Sequence, residues 1–164
     1  MNENNLGKEI TLEEKIVSIL LEKKWTITTA ESCTAGLISA TLVNVPGSSQ
    51  VFNESYVTYS NNSKIKLLNV KREILEKHGA VSSETAQEMA RGAARVADAE
   101  VAISATGIAG PDGGTPEKPV GLVYIGLYIC GDTTTKKCYF EGSREQIRLK
   151  TVENVLSLLL ENLQ

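Results

Sequence analysis

The sequence predicts a single-domain α/β protein, a three-layer α/β/α sandwich around a mixed, mostly parallel sheet. Segments of strand-like composition alternate with segments of helical periodicity along the chain. Residues 101–105 form an uninterrupted run of small and apolar side chains, which is typical of a strand buried on both faces. Residues 120–129 and 134–140 read as a hairpin about Gly131-Asp132, which adds antiparallel strands to the sheet.

The first half of the chain alternates helices with strands. Thr11 and Glu14 form a capping-box pattern that opens a helix, and residues 1–9 before it are expected to be a flexible tail. Pro46-Gly47 marks a turn. The remaining elements predicted here are strands at 26–30 and 51–59 and helices at 34–44, 61–68 and 72–78, the last stopped by Gly79.

The second half begins with an alanine-rich helix that starts at Ser82 or Ser83 and runs through Val96. A Gly/Pro loop at 106–119 follows the buried strand. Ser143 and Gln146 form a second capping box, and an apolar stripe predicts a final helix. The stripe comprises Val152, Val155, Leu156, Leu159 and Leu163. One domain over residues 10–164 is the interpretation that follows.

Composition narrows the classes of function. A net charge of −3 gives no support for a nucleic-acid partner, and no apolar run is long enough to span a membrane. Three cysteines without metal-ligand spacing are typical of reduced thiols in a cytoplasm. One histidine, His78, argues against a multi-histidine metal site and a Ser-His catalytic pair. No metal or cofactor is predicted, and the oligomeric state is left open, a homo-oligomer included.

Residues 28–36 carry the first candidate site. A β-prone segment ends in Ser32 and Cys33, and a helical pattern begins at Leu37. Free N–H groups and the positive dipole end at such a junction attract an anion or a developing oxyanion. Two potential nucleophiles therefore lie beside an electrophilic backbone. The alternative is that Ser32 or Thr34 only caps the helix.

Lys64 is the second candidate. Capping at Ser60 or Asn61 places Lys64 in or near the first turn of its helix, where the dipole disfavours a cation. Burial together with this repulsion lowers a lysine pKa, and such lysines act as general bases. The alternative is a solvated surface lysine.

A glycine loop and an arginine complete the candidates. Residues 106–114 follow the strand that we expect to be central, where ligands of α/β sheets collect, and the four glycines permit close backbone approach. The loop matches neither a Walker motif nor a dinucleotide fingerprint. Arg148 continues the apolar stripe of the final helix and requires an anionic partner, unless it extends to solvent. Arg144 lies one turn earlier.

Taken together, four motifs resemble the CinA C-terminal domain family from about residue 11 to the end. They are Thr29-Ala30-Glu31-Ser32-Cys33-Thr34; Val57-Thr58-Tyr59-Ser60-Asn61 with Lys64; His78-Gly79-Ala80-Val81-Ser82; and residues 107–114 with Lys118-Pro119-Val120-Gly121. Many members carry an additional N-terminal domain, for which this chain is expected to have no room. It therefore resembles the stand-alone nicotinamide-nucleotide amidase form, and residues 10–164 would be the amidase domain.

The resemblance implies hydrolysis of the carboxamide of nicotinamide mononucleotide to nicotinate mononucleotide and ammonia, as in pyridine nucleotide salvage. Ser32 would be the nucleophile and Lys64 its base, with Tyr59 in the hydroxyl network. The turn comprising Cys33, Thr34, Ala35 and Gly36 would supply oxyanion donors. Thr106, Gly107, Gly110 and Arg148 would face the nucleotide. Members often have Gly-Gly where this chain has Ala35-Gly36, and a methyl group there is expected to be tolerated in a helical conformation.

Two other functions are consistent with the same residues. The chain is alternatively a non-catalytic nucleotide- or phosphate-binding module that acts through a protein partner in competence or DNA damage. Cys33 is alternatively a thiol nucleophile, although a free cysteine is more often inert and buried. Ammonia release from nicotinamide mononucleotide separates the first function from both.

Overall fold

The helices and strands follow one another in the predicted order in a computed structural model that describes residues 9–164. Residues 1–8 of the predicted tail lie outside the described residues. The helices are α1 Leu12–Lys23, α2 Leu37–Val43, α3 Asn61–Leu68, α4 Arg72–His78, α5 Ser83–Ala97 and α6 Arg144–Leu163. The strands are β1 Ile27–Glu31, β2 Tyr56–Val57, β3 Val101–Gly107, β4 Leu122–Ile129 and β5 Asp132–Tyr139.

The sheet has the strand order β2-β1-β3-β4-β5. β1 pairs in parallel with β2 and β3, whereas β4 is antiparallel to both β3 and β5. Four of the five strands therefore run in one direction, and only β4 opposes them. β3 lies at the centre, as its continuous apolar run predicts. The carboxyl ends of β1 and β3 lie side by side, since Glu31 is in register with Ala105.

Helices cover both faces of this sheet and give the predicted three layers. α1, α2 and α6 pack on one face around a core that includes Leu20, Ile38 and Leu159. α3, α4 and α5 pack on the other around Leu68 and Met89. Burial of apolar area in both layers is the main favourable term in folding.

Local sequence signals set several helix starts. Thr11 and Ser143 each accept the N–H of the third helical residue, whose side chain bonds back, so both predicted capping boxes form. Ser60 caps α3 in the same way with Ser63. Ser82, one of the two predicted candidates, caps α5. Each cap satisfies N–H groups that lack intrahelical partners.

The predicted strand at 51–59 is largely wrong. The turn at Gly47 continues into a 3-10 helix, Ser48–Gln50, and Phe52 makes only an isolated bridge to Ile27. Pairing resumes only at Tyr56–Val57, on the edge of the sheet. Between these points the hydroxyl of Thr28 donates a hydrogen bond to the carbonyl of Glu54. This side-chain hydrogen bond takes the place of the backbone pairing that a continuous strand would make there.

Two further boundaries differ from the prediction. α2 begins only at Leu37, because Gly36 adopts a φ of +96° and ends the preceding turn as its N-cap. The hairpin turns at Cys130-Gly131 rather than at Gly131-Asp132. Both turn residues have positive φ, the backbone twist that a two-residue hairpin requires.

Candidate active site

An open cavity of about 280 Å³ lies at the carboxyl ends of β1 and β3. This is where parallel strands of α/β proteins present ligand sites. The lining residues come from the β1–α2 turn, the β2–α3 segment, the connection between α4 and α5, the end of β3 with the loop after it, and the start of α6. They are Ser32, Cys33, Tyr59, Lys64, Ala80, Val81, Thr106, Gly107, Ile108, Ala109, Gly110, Asp112, Gly113 and Arg144.

Lys64 lies in the interior of the protein. The Ser60 cap makes it the fourth residue of α3, and its side chain is only 1% exposed. Its Nζ donates a hydrogen bond to the carbonyl of Thr58 at 2.7 Å and another to Ser32 Oγ at 3.1 Å. The surface alternative for Lys64 is therefore wrong, and its amine is directed at the candidate nucleophile.

Burial lowers the pKa of Lys64 from 10.5 to about 8, because the ammonium loses hydration. Within residues 9–164 no carboxylate forms an ion pair with it. A lysine with this pKa is partly neutral near pH 8 and can accept a proton there.

Ser32 directly follows β1 and is 8% exposed. Its N–H donates to the carbonyl of Ala105 at 2.9 Å, which continues the β1–β3 ladder by one residue and fixes the backbone. Neither Ser32 nor Thr34 caps α2, because Gly36 occupies that position without a side-chain bond. The capping alternative is therefore wrong, and Ser32 Oγ is left to Lys64 and the cavity.

The N-terminus of α2 is already occupied by a carboxylate of the chain. Glu31 is fully buried, and its side chain accepts the N–H groups of Gly36, Ile38 and Ser39 at 2.9–3.1 Å. Of the predicted oxyanion donors, the amide of Gly36 is therefore already occupied. The carboxylate of Glu31 balances the positive end of the helix from within.

Cys33 lines the cavity beside Ser32, but its chemistry differs. Burial raises the pKa of its thiol to about 11, so the nucleophilic thiolate is disfavoured at neutral pH. Thr34 is fully buried, and its hydroxyl has no hydrogen-bond partner within residues 9–164. Thr34, Ala35 and Gly36 shape the turn without lining the cavity.

Ala35 does not adopt the expected right-handed helical conformation. Its φ is +48°, and Gly36 follows with a φ of +96°. Left-handed backbone favours glycine, because a Cβ crowds the following carbonyl. The methyl group of Ala35 is therefore accommodated at a cost in backbone strain.

Tyr59 is 61% exposed at the rim of the cavity. Its hydroxyl accepts a hydrogen bond from Arg144 Nη2 at 3.0 Å rather than joining Ser32 and Lys64. Arg144 also donates from Nη1 to the carbonyl of Gly110 at 2.8 Å. Arg144, in the first turn of α6, therefore links Tyr59 at the rim of the cavity to the glycine loop through these two hydrogen bonds.

The structure places Arg148 differently from the expectation that it faces the nucleotide. Its Nε donates to the carbonyl of Cys33 at 3.0 Å and its Nη2 to that of Thr34 at 2.9 Å. Arg148 does not line the cavity, whereas Arg144 does. The partners of the partly buried guanidinium are carbonyl dipoles rather than an anion.

The loop after β3 forms the opposite wall. Thr106 lines the cavity while its hydroxyl donates to the carbonyl of Ala80 at 2.8 Å. At Gly107 a Cβ would lie 2.6 Å from Val123 Cγ2, so close packing with β4 requires glycine. Gly110 has a φ of +79°. The predicted loop residues Thr106, Gly107 and Gly110 thus all lie on the same cavity as Ser32 and Lys64.

Residues 9–164 contain no cluster of His, Cys, Asp and Glu side chains suited to a metal ion. In the same residues, no helix combines the length and apolar character needed to cross a membrane.

The fold and cavity define an α/β protein with a buried Ser-Lys pair at the carboxyl ends of adjacent parallel strands. The sequence profile described as the CinA C-terminal domain matches residues 9–163. The chain belongs to this family, which confirms the resemblance drawn from its motifs.

Individual relatives agree. A CinA-like protein of Dictyoglomus thermophilum is 57% identical over 155 residues, which is 94% of this chain and 38% of that protein. The crystal structure of the competence/damage inducible protein CihA from Agrobacterium tumefaciens is 41% identical, with a TM-score of 0.90, covering 93% of this chain and 94% of that one. A CinA superfamily protein from Enterobacter cloacae is 32% identical with a TM-score of 0.90, covering 100% and 99%. The chain spans about two fifths of the length of the curated relatives that it matches.

Proposed function

We propose that the protein hydrolyses the carboxamide of nicotinamide mononucleotide to nicotinate mononucleotide and ammonia by a Ser-Lys mechanism. The observation that carries this proposal is the 3.1 Å hydrogen bond between buried Lys64 Nζ and Ser32 Oγ at the cavity. A serine is a weak nucleophile unless a neighbouring base takes its proton. Lys64 is the titratable group within hydrogen-bond distance of Ser32 Oγ, and burial lowers its pKa to about 8.

The reaction begins with Lys64 in its neutral form. Lys64 Nζ takes the proton from Ser32 Oγ as the oxygen attacks the carboxamide carbon. The lysine then returns that proton to the departing nitrogen, which leaves as ammonia, and an ester to Ser32 remains. Water, deprotonated by the same amine, attacks the ester; the C–O bond to Ser32 breaks, and the serine oxygen regains a proton from Lys64.

The tetrahedral intermediate requires donors for its oxyanion. The amide of Ser32 is bonded to Ala105, and the amide of Gly36 is bonded to Glu31. Cys33 follows the nucleophile directly and lines the cavity, so its N–H is our candidate donor. Its thiol, with a pKa of about 11, stays protonated beside the reaction.

Arg144 is the candidate partner for the phosphate of the substrate. It is the guanidinium that lines the cavity, and it lies against the carbonyl of Gly110. Guanidinium forks bind phosphate through two N–H groups, and loop amides with glycine neighbours add further donors. Tyr59, held by Arg144 at the rim, would then face the pyridine or ribose portion.

The test is ammonia release from nicotinamide mononucleotide by the wild type, Lys64→Arg and Lys64→Ala. A general base predicts that arginine is nearly as damaging as alanine, because a guanidinium stays protonated. Lys66, exposed on the same helix, provides the matched control Lys66→Arg. An active Lys64→Arg enzyme would refute the mechanism.

The second candidate is a nucleotide-binding module that acts through a protein partner. The names of two solved relatives, which refer to competence and damage, favour this alternative. Binding of the mononucleotide by the wild type without ammonia release would support it over the amidase.

A further inference from the structure

The turn that carries Ser32 into α2 has an unfavourable backbone conformation. Ala35 and Gly36 are both left-handed, at φ values of +48° and +96°. Such conformations persist only where the surrounding structure holds them. Two charged side chains outside the Ser-Lys pair hold the backbone groups of this turn.

Glu31 holds the N–H side. Its Oε2 accepts the amides of Gly36 at 2.9 Å and Ile38 at 3.1 Å. Its Oε1 accepts the amide of Ser39 at 2.9 Å and the Ser39 hydroxyl at 2.7 Å, with the Thr29 hydroxyl at 3.2 Å. All these partners are donors, which suits a carboxylate that can only accept.

Arg148 holds the carbonyl side. Its fork spans two successive peptide carbonyls, Cys33 at 3.0 Å and Thr34 at 2.9 Å, directly after the nucleophile. A lysine offers one point charge in place of this fork and cannot reproduce its geometry. Arg148 comes from α6, so its bonds tie the turn to a helix more than a hundred residues away in sequence.

We propose that Glu31 and Arg148 act as one clamp on residues 33–39, and that both are positioning residues for Ser32. The carboxylate fixes the amides after the turn and the guanidinium fixes the carbonyls within it. Ser32 lies between β1 and this clamped segment, so its Oγ is held at 3.1 Å from Lys64 Nζ. The catalytic part of this inference rests on the proposed amidase function.

The clamp separates the roles of the two arginines of α6. Arg144 lines the cavity and is available to the substrate, whereas Nε and Nη2 of Arg148 donate to the carbonyls of the turn. Removal of Arg148 therefore lowers kcat, and removal of Arg144 raises KM. A substrate-binding role for Arg148 predicts the reverse for that residue.

The kinetic experiment compares Glu31→Gln, Arg148→Met, Arg148→Lys and the double variant Glu31→Gln/Arg148→Met. We expect each of the first two to lower kcat by about 100-fold with KM within about threefold, since misplacement of a reacting group by about 1 Å has this effect. Arg148→Lys keeps more activity than Arg148→Met. The double variant falls no more than about threefold below the worse single variant, because both residues act on one turn. Lys150→Met, an exposed cation on α6, is the matched control.

A second measurement is independent of any substrate. Amide hydrogen exchange at Gly36, Ile38 and Ser39 is followed by NMR in the same proteins. Because opening of the turn exposes these amides, we expect at least about tenfold faster exchange in both Glu31→Gln and Arg148→Met, with the amides of β3 unchanged.

Unchanged exchange at Gly36 in Arg148→Met would overturn the clamp, as would a rise in KM without loss of kcat. Additive effects of the two substitutions would overturn it too. If the wild type releases no ammonia from the mononucleotide, the proposed function fails, and the exchange measurement still decides the clamp.

Discussion

Replacement of Lys64 by methionine tests the burial of this amine through stability alone. Methionine is also unbranched and apolar, so it fills the same space without a charge. Lys64 is 1% exposed, and its amine donates hydrogen bonds to Ser32 Oγ and the Thr58 carbonyl. The substitution therefore removes a buried ammonium at low pH and a buried neutral amine at high pH.

The magnitude follows from the pKa values. The pKa of Lys64 is about 8 in the folded protein and 10.5 when the side chain is free. At pH values below 8 both states are protonated, and the folded state bears the full penalty of the buried charge, about 3 kcal/mol. Between pH 8 and 10.5 the unfolded state binds more protons, so stability rises with pH. Above 10.5 both states are neutral and the penalty is gone.

Methionine has no such pH dependence. It also leaves the Thr58 carbonyl without its donor, which costs about 1–3 kcal/mol at every pH. We therefore expect Lys64→Met to equal or exceed the wild type in stability at pH 7 and to be less stable at pH 10. The difference between the two proteins shifts by about 2–3 kcal/mol across that interval.

The assay is urea unfolding of the wild type, Lys64→Met and Lys66→Met at pH 7 and pH 10. Lys66 is exposed on the same helix, so its variant accounts for titration elsewhere in the protein. Parallel pH dependence in the wild type and Lys64→Met would refute a buried, perturbed lysine. A shift of opposite sign would do so more strongly.

Four further outcomes follow from the site. Ser32→Ala abolishes ammonia release while nucleotide binding persists, and Cys33→Ala keeps substantial activity; the opposite pattern in turnover assays would move the nucleophile to the thiol. In the wild type kcat/KM rises with pH along a one-proton limb whose midpoint lies near pH 8, because the neutral form of Lys64, whose pKa is about 8, is the base. Nicotinamide riboside is at least about tenfold poorer than the mononucleotide in kcat/KM, and Arg144→Met removes most of that preference; equal values in the wild type would exclude a phosphate contact. Ala35→Gly raises the unfolding free energy by about 0.5 kcal/mol, since relief of the φ of +48° outweighs the added chain entropy, and a lower thermal midpoint would contradict this.

Much of the fold was predictable because local signals and tertiary packing agree. Capping boxes at Thr11 and Ser143 start their helices where the sequence predicts, and the apolar run at 101–105 is the central strand. The segment at 51–59 was not predictable in this way. Its β-prone composition competes with a turn at Gly47 and with a side-chain bond from Thr28, and neither effect is visible in periodicity.

The candidate site was likewise predictable from the sequence only in part. Ser32 and Lys64 each follow a predicted strand–helix junction, so the topology brings them to one end of the sheet. The role of Glu31 was hidden, because its carboxylate folds forward onto amides five to eight residues later. Arg144 and Arg148 lie on the same face of α6. Only the directions of their side chains in three dimensions show that Arg144 reaches the cavity and Arg148 reaches the turn.

The Cys130-Gly131 turn offers an attachment point for probes and surfaces. Cys130 is exposed, whereas Cys33 and Cys138 are buried, so a maleimide reagent finds one accessible thiol among the three. The turn joins β4 and β5 at the end where Ile129 pairs with Val101, while the cavity lies beyond Gly107 at the other end of β3. Six residue steps of strand correspond to about 20 Å. A fluorophore attached at Cys130 would report on the protein, and a biotin tether would immobilise it. In both cases the cavity faces away from the label.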